Sequence, residues 1–238
     1  MQKFIVILFL TLSFTQVFAQ VGKGSTPLVS SSSLHKQTYE LAKKRGDAMT
    51  AIVSLNYLLA SGGPASYADT LAQWYVYSQQ YAQAKLLSDE LLLKRPQDEA
   101  LLSIQGTSLR ALNQVTEAAE VYNKLFQMTR NYLYGVELVQ LQWSLKRLLE
   151  CQQTAQALRS LTYKPEQTLR VPTPDNKDQE PVAVPAFTWY MEGLSHLGAN
   201  QTEKAKEAFQ KALSVTSQFS LATFQLAEIE KMTATEKK

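Results

Sequence analysis

Small and apolar residues recur along this 238-residue chain at intervals of 33 or 34 positions. Self-similarity at this period is typical of stacked helix–turn–helix units, each of which is too small to bury its own apolar face. The interval therefore predicts a stack of helical hairpins. Three series of positions keep it: Ala42, Tyr75, Leu109 and Trp143; Ala51, Ala84 and Ala118; and Leu58, Leu91 and Leu125.

The repeated residues resemble the tetratricopeptide repeat, which places Trp and Leu-Gly on a first helix and Ala, Phe and Ala on a second. The best match is Trp189, Gly193, Ala205, Phe209 and Ala212, at spacings of 4, 12, 4 and 3. Small residues there let the two helices approach closely, and the aromatic ring fills the space beside them. The resemblance implies an all-α fold: a right-handed α-solenoid of about five helix–turn–helix units with a C-terminal capping helix.

The resemblance also implies how the chain is divided into repeat units. Units 1–4 are expected over residues 32–163 and unit 5 over residues 186–218. A capping helix is expected over residues 219–233, because its apolar residues share one face, and residues 234–238 would form a polar tail.

Unit 4 departs from the pattern and is interpreted as degenerate. Its expected Gly and Ala positions hold Gln140 and Gln152. The register returns only if Ala155 or Ala157 takes the alanine role. Cys151, the only cysteine, is expected in the turn of this unit as a half-buried small residue, with an intermolecular disulfide as the alternative.

Residues 164–185 interrupt the repeats with about 19 extra residues. Loops longer than ~12–15 residues are usually functional or disordered. Proline removes backbone donors and favours extended backbone. The segment is therefore expected to be a loop, either a hinge between units 4 and 5 or a strap whose apolar flanks dock in the groove. Its prolines are Pro165, Pro172, Pro174, Pro181 and Pro185.

The first 19 residues have the pattern of a secretory signal. A basic start at Lys3 precedes an apolar run, and small residues at Val17 and Ala19 predict cleavage after Ala19. The run is short for a bilayer span, which disfavours the alternative of an uncleaved anchor. Residues 20–33 read as a flexible leader. The mature protein is expected to be periplasmic or secreted, without a stable membrane anchor.

Charge and composition favour no enzymatic or nucleic-acid function. Loss of residues 1–19 removes only Lys3 among the charged residues, so the net charge falls from +3 to +2, which gives no reason to expect nucleic acid. His35 and His196 lie in different units without metal-ligand spacing, and no phosphate loop or nucleophile elbow is present. No enzyme activity, cofactor or metal is expected.

The resemblance assigns partner binding to the concave face, which the first helices of the units line. A carboxylate clamp of the chaperone-tail type is not expected, because Asn is missing at the ninth position of every unit. That position holds Glu40, Gln73, Thr107, Leu141 and Leu194. The predicted groove residues are Lys36, Glu40, Gln73, Tyr77, Thr107, Arg110, Tyr134, Glu137, Phe187 and Tyr190.

Two functions remain open from the sequence. The first is a non-catalytic scaffold of the bacterial cell envelope that binds an extended segment of another protein in the concave groove. The second is a structural subunit that assembles with copies of itself or with a larger envelope complex. The sequence does not identify the partner protein.

Overall fold

A computed structural model describes residues 31–164 and 166–236. The predicted signal peptide, residues 20–30 of the leader, Pro165 and residues 237–238 lie outside this part of the chain. The described elements are α1 (Ser31–Arg45), α2 (Ala48–Ala60), α3 (Ser66–Tyr77), α4 (Tyr81–Leu92), α5 (Glu99–Ala111), α6 (Val115–Thr129), α7 (Tyr132–Ser144), α8 (Leu148–Arg159), β1 (Thr168–Pro172), β2 (Gln179–Ala183), α9 (Val184–Gly198), α10 (Thr202–Val215) and α11 (Ser220–Glu236).

Consecutive helices pair into five hairpins, from α1–α2 to α9–α10, and each hairpin packs on the next. The predicted all-α solenoid is confirmed. The largest buried apolar cluster is continuous from α5 to α11, and smaller clusters fill units 1 and 2. Among the described residues, no helix combines the length and the apolar character needed to cross a bilayer.

The turn inside each hairpin repeats the same backbone geometry. One residue per turn adopts a left-handed conformation with φ between 58° and 67°. The next residue donates its N–H to a carbonyl five positions earlier, as in Asp47 to Ala42, which satisfies the end of the first helix. The left-handed residues are Gly46, Gln79, Asn113, Lys146 and Asn200. The backbone therefore repeats more regularly than the side chains do.

These turns correct the register of unit 4. Lys146 follows Asn113 by 33 positions rather than 34, so the unit begins one residue earlier than the sequence suggested. Val139 and Cys151, rather than Gln140 and Gln152, occupy the positions of Gly193 and Ala205 in unit 5, and all four are buried. The fourth unit is thus a complete hairpin with an unusual choice of small residues.

The same shift assigns the remaining residues of unit 4. Ala155 is buried at the position of the aromatic Phe209, so neither Ala155 nor Ala157 takes the alanine role. Gln142, rather than Trp143, continues the series of Ala42, Tyr75 and Leu109, and it is buried. Glutamine is a poor sequence marker for a core position, which is why this series was misread.

Cys151 lies inside α8 and not in a turn, which corrects the sequence expectation. Its side chain is fully buried, and Sγ is 3.5 Å from the carbonyl oxygen of Val139. Burial raises the pKa of the thiol to about 11. A buried, protonated thiol is unreactive, which disfavours an intermolecular disulfide.

Residues 168–183 form an antiparallel β-hairpin, which the sequence analysis did not predict. Leu169 pairs with Val182, and Val171 pairs with Glu180. The prolines are compatible with this pairing because Pro172 and Pro181 occupy positions whose N–H would point away from the partner strand. Val171 and Val182 are buried in the main core.

The hairpin is fixed to the end of α10 and to the start of α11. The N–H of Ala183 donates to Thr216 Oγ1 (3.3 Å). Glu180 Oε1 accepts hydrogen bonds from the N–H and the hydroxyl of Ser220, both at 2.8 Å, and so caps α11. These contacts favour a docked strap over a hinge.

The C-terminal capping helix is present with extended bounds. α11 begins at Ser220 and ends at Glu236, so residues 234–236 of the expected tail are helical. Likewise α9 begins at Val184, which places Pro185 in the first turn of a helix rather than in the loop.

Candidate interaction groove

The first helices α1 and α3 form an open groove, here called the N-terminal groove. It has a volume of about 420 Å³ and is lined by Tyr39, Lys43, Thr70, Gln73, Trp74 and Tyr77. The rings of Trp74 and Tyr77 meet edge to face, with centroids 5.3 Å apart. Tyr77 is 67% exposed although it is a large aromatic residue. Exposed aromatic area at low conformational cost is typical of binding hot spots.

Polar contacts within unit 3 and between units 3 and 4 occupy the middle of the concave face. Arg110 on α5 forms an ion pair with Glu137 on α7. The hydroxyl of Tyr134 donates to Glu99 Oε1 (3.1 Å), and burial raises the pKa of Tyr134. Thr107 Oγ1 lies 3.4 Å from the hydroxyl of Tyr122. These contacts hold α5 against α7 and against α6.

A second cavity, the C-terminal groove, has the β-hairpin as one wall. It has a volume of about 470 Å³. α7 and α9 supply a largely apolar floor, and β1 supplies the opposite side. The lining residues are Arg110, Leu133, Val136, Glu137, Gln140, Leu169, Arg170, Val171, Pro172 and Phe187. The hairpin therefore narrows the concave face at units 4 and 5 and leaves units 1 and 2 open.

The structure distributes the predicted groove residues over five environments. Lys36 and Glu40 are exposed on α1. Gln73 and Tyr77 line the N-terminal groove, and Arg110, Glu137 and Phe187 line the C-terminal groove. Thr107 and Tyr134 make the contacts between helices described above.

Tyr190 lies in the core, as does most of the Phe187 side chain, and Tyr190 lines neither groove. It is buried, and its ring centroid is 5.7 Å from that of Phe209 and 5.1 Å from that of Phe219. Burial raises the pKa of its hydroxyl. α11 covers it, because α11 takes the place that the first helix of a further unit would have.

Several groove residues were missed by the sequence analysis. Leu133, Val136 and Gln140 line the C-terminal groove, whereas Leu141, expected there, is buried. The one-residue shift of unit 4 explains this error. The left-handed turn at Lys146 is the only local marker of the true register, and lysine gives no sequence signal for that conformation. The residues of β1 were missed because no pairing was expected.

The side chains that could carry chemistry are used in packing. His196 Nδ1 lies 2.8 Å from Gln201 Oε1, and its ring is half-buried between units 4 and 5. Arg159 stacks on the Trp189 ring at 3.6 Å and forms an ion pair with Glu192. Within residues 31–164 and 166–236, no group of three metal-capable side chains comes together.

Comparisons with known proteins agree with this architecture. A family model described as tetratricopeptide repeat matches residues 188–219, which include the closest sequence motif and most of α9 and α10. The structure called "Crystal structure of YrrB: a TPR protein with an unusual peptide-binding site" aligns with a TM-score of 0.60 at 16% identity, over 80% of this chain and 89% of that one. The chain therefore has the fold of tetratricopeptide-repeat proteins.

Other solved tetratricopeptide-repeat structures give the same result. "MamA 41-end from Desulfovibrio magneticus RS-1" aligns with a TM-score of 0.58 at 16% identity, over 79% of this chain and 97% of that one. "MamA MSR-1 C2" aligns with a TM-score of 0.58 at 15% identity over the same shares. No curated protein sequence matches at a significant level. At these identities the likeness concerns the fold alone.

Proposed function

We propose that this tetratricopeptide-repeat protein is a non-catalytic scaffold that binds an extended segment of another protein along its concave face. The fold supports a protein–protein interaction role in general. The observation that carries the finer proposal is the N-terminal groove, where Trp74 and Tyr77 present aromatic area next to Lys43 and Gln73. The likeness to YrrB, described as having an unusual peptide-binding site, supports the same reading.

Site-specific crosslinking in the native host tests the groove. A photoreactive phenylalanine derivative at position 73 should give a discrete adduct with one partner. The same derivative at position 149, where Leu149 is exposed on the second helix of unit 4, serves as the matched control and should not. Tyr77→Ala should weaken the adduct about 30-fold if Tyr77 is a hot spot.

Two other outcomes of the crosslinking experiment would argue against binding of another protein in the N-terminal groove. Equal adducts from positions 73 and 149 would contradict a groove-specific interaction. Adducts between two copies of this chain would favour the structural-subunit alternative instead.

We further propose that the protein acts outside the cytoplasm, in the bacterial envelope. The support is the signal-like sequence from Lys3 to Ala19, with Gln20 rather than a lipid-bearing Cys after the expected cut. The intact mass of protein purified from its host should correspond to a chain that begins at Gln20, with or without cyclisation to pyroglutamate. Recovery of the uncleaved chain from the cytoplasm would contradict the proposal.

A further inference from the structure

The hydrogen-bond pattern of the hairpin decides which backbone groups point away from it. The N–H of Thr173 donates to the carbonyl of Asp178 (2.9 Å). Hydrogen-bonded and non-hydrogen-bonded pairs alternate along an antiparallel ladder. With the observed register, Val171 and Leu169 are therefore bonded to β2. Thr168, Arg170 and Pro172 direct their backbone groups to the outer edge of β1.

The two outer edges of the hairpin are not equivalent. On β2, Pro181 has no N–H, and the N–H of Ala183 is used by Thr216 Oγ1. On β1, the N–H of Arg170 and the carbonyls of Thr168, Arg170 and Pro172 face outward. The N–H of Thr168 donates to Glu166. Only β1 can therefore accept another strand.

The free edge of β1 borders the C-terminal groove. Leu169, Arg170, Val171 and Pro172 all line this cavity, opposite Phe187 and the α7 residues. A strand laid along β1 would exchange two hydrogen bonds with Arg170 and donate one each to the carbonyls of Thr168 and Pro172. Its alternate side chains would point onto the apolar floor.

Charge determines what kind of strand fits. The groove holds two guanidinium groups, those of Arg110 and Arg170, and one carboxylate, Glu137, which is already paired with Arg110. Arg170 makes no ion pair with any residue in the described ranges. An acidic side chain opposite Arg170 complements this charge. A second copy of β1 does not fit, because antiparallel pairing centred on Arg170 would place two arginines opposite each other.

We propose that the C-terminal groove binds an extended segment of a partner protein by strand addition to β1, with an acidic residue of that segment opposite Arg170. The proposal rests on the proposed function, in which the concave face binds an extended segment. It adds the mode of recognition and the chemistry of the segment: apolar or β-branched residues alternating around one carboxylate.

Three variants at one position separate the backbone contribution from the charge. Arg170→Pro removes the only free N–H on the edge, and the hairpin tolerates it because this N–H is not used in the ladder. Arg170→Ala removes the charge and keeps the N–H. Leu149→Ala changes an exposed side chain on α8 outside both grooves and is the control.

The probe is an acetylated, amidated heptapeptide with a central Asp flanked by alternating Thr and Val, titrated by calorimetry into the full chain. Arg170→Ala should weaken its binding by about two- to fivefold, as for an exposed cross-strand ion pair. Arg170→Pro should weaken it by about tenfold or more, because a strand donor is lost and a carbonyl of the peptide is left without a partner. Leu149→Ala should bind the peptide as the parent does.

Amide hydrogen exchange at Val171 verifies that the hairpin persists in Arg170→Pro. Equal binding by Arg170→Pro and Arg170→Ala, with Val171 protected in both, would overturn strand addition, and so would absence of binding to the parent chain. If crosslinking at position 73 fails while Arg170→Pro is selectively impaired, the N-terminal groove is not the binding site and strand addition in the C-terminal groove stands; if neither position responds, binding along the concave face fails altogether.

Discussion

Replacement of Phe219 by alanine should lower the free energy of unfolding by about 3–5 kcal/mol, as is typical of a fully buried phenylalanine. Phe219 is completely buried immediately before α11, and its ring centroid lies 5.1 Å from that of Tyr190. Its removal leaves a cavity between unit 5 and the capping helix. It also holds Ser220 less firmly in place and so weakens the hydrogen bonds that the N–H and hydroxyl of Ser220 donate to Glu180 of the hairpin.

Urea denaturation followed by circular dichroism measures this effect. Phe224→Ala, five residues further on in α11, is the matched control, because Phe224 is 45% exposed, and it should change the free energy of unfolding by less than about 1 kcal/mol. Similar losses for both variants would show that α11 is not seated on unit 5 through Phe219.

Replacement of Gly193 by alanine should lower the free energy of unfolding by about 1–3 kcal/mol through overpacking. A Cβ at position 193 would lie 2.5 Å from Cε1 of Phe209, with two further ring atoms within 2.8 Å. The ring is fully buried and cannot move aside freely. The strain therefore falls on the spacing between α9 and α10, the contact that defines the unit.

A double-mutant cycle isolates the cause. In a Phe209→Leu background, which removes the ring, Gly193→Ala should cost little. Gly198→Ala is the control glycine in the same helix, because its Cβ would meet only the end of the Leu148 side chain at 3.2 Å. It should be neutral or slightly stabilising, since alanine favours helix over glycine. Equal costs of Gly193→Ala with and without the Phe209 ring would exclude the steric explanation.

The misread register of unit 4 shows where pattern analysis fails. Helical hairpins of this kind need a small residue wherever their two helices approach closely. In units 2, 3 and 5 these positions hold glycine or alanine, which a sequence pattern can detect. In unit 4 the same positions hold Val139 and Cys151, and the turn is made by Lys146. Valine, cysteine and lysine are not typical of these positions. The predicted register of unit 4 was therefore wrong by one residue, and the predicted groove residues of that unit were displaced with it.

The sequence by itself determined the number of units, their pairing and the presence of a capping helix. These features depend on contacts within one unit or between neighbours, which short-range spacing records. Only the tertiary structure decided the hairpin and the division of the concave face. β1 and β2 contain two prolines and little alternation, and they are held by Thr216 and Ser220, which lie 33 and 40 residues from their partners. Contacts at that separation depend on how unit 5 and α11 pack, and no local pattern encodes them.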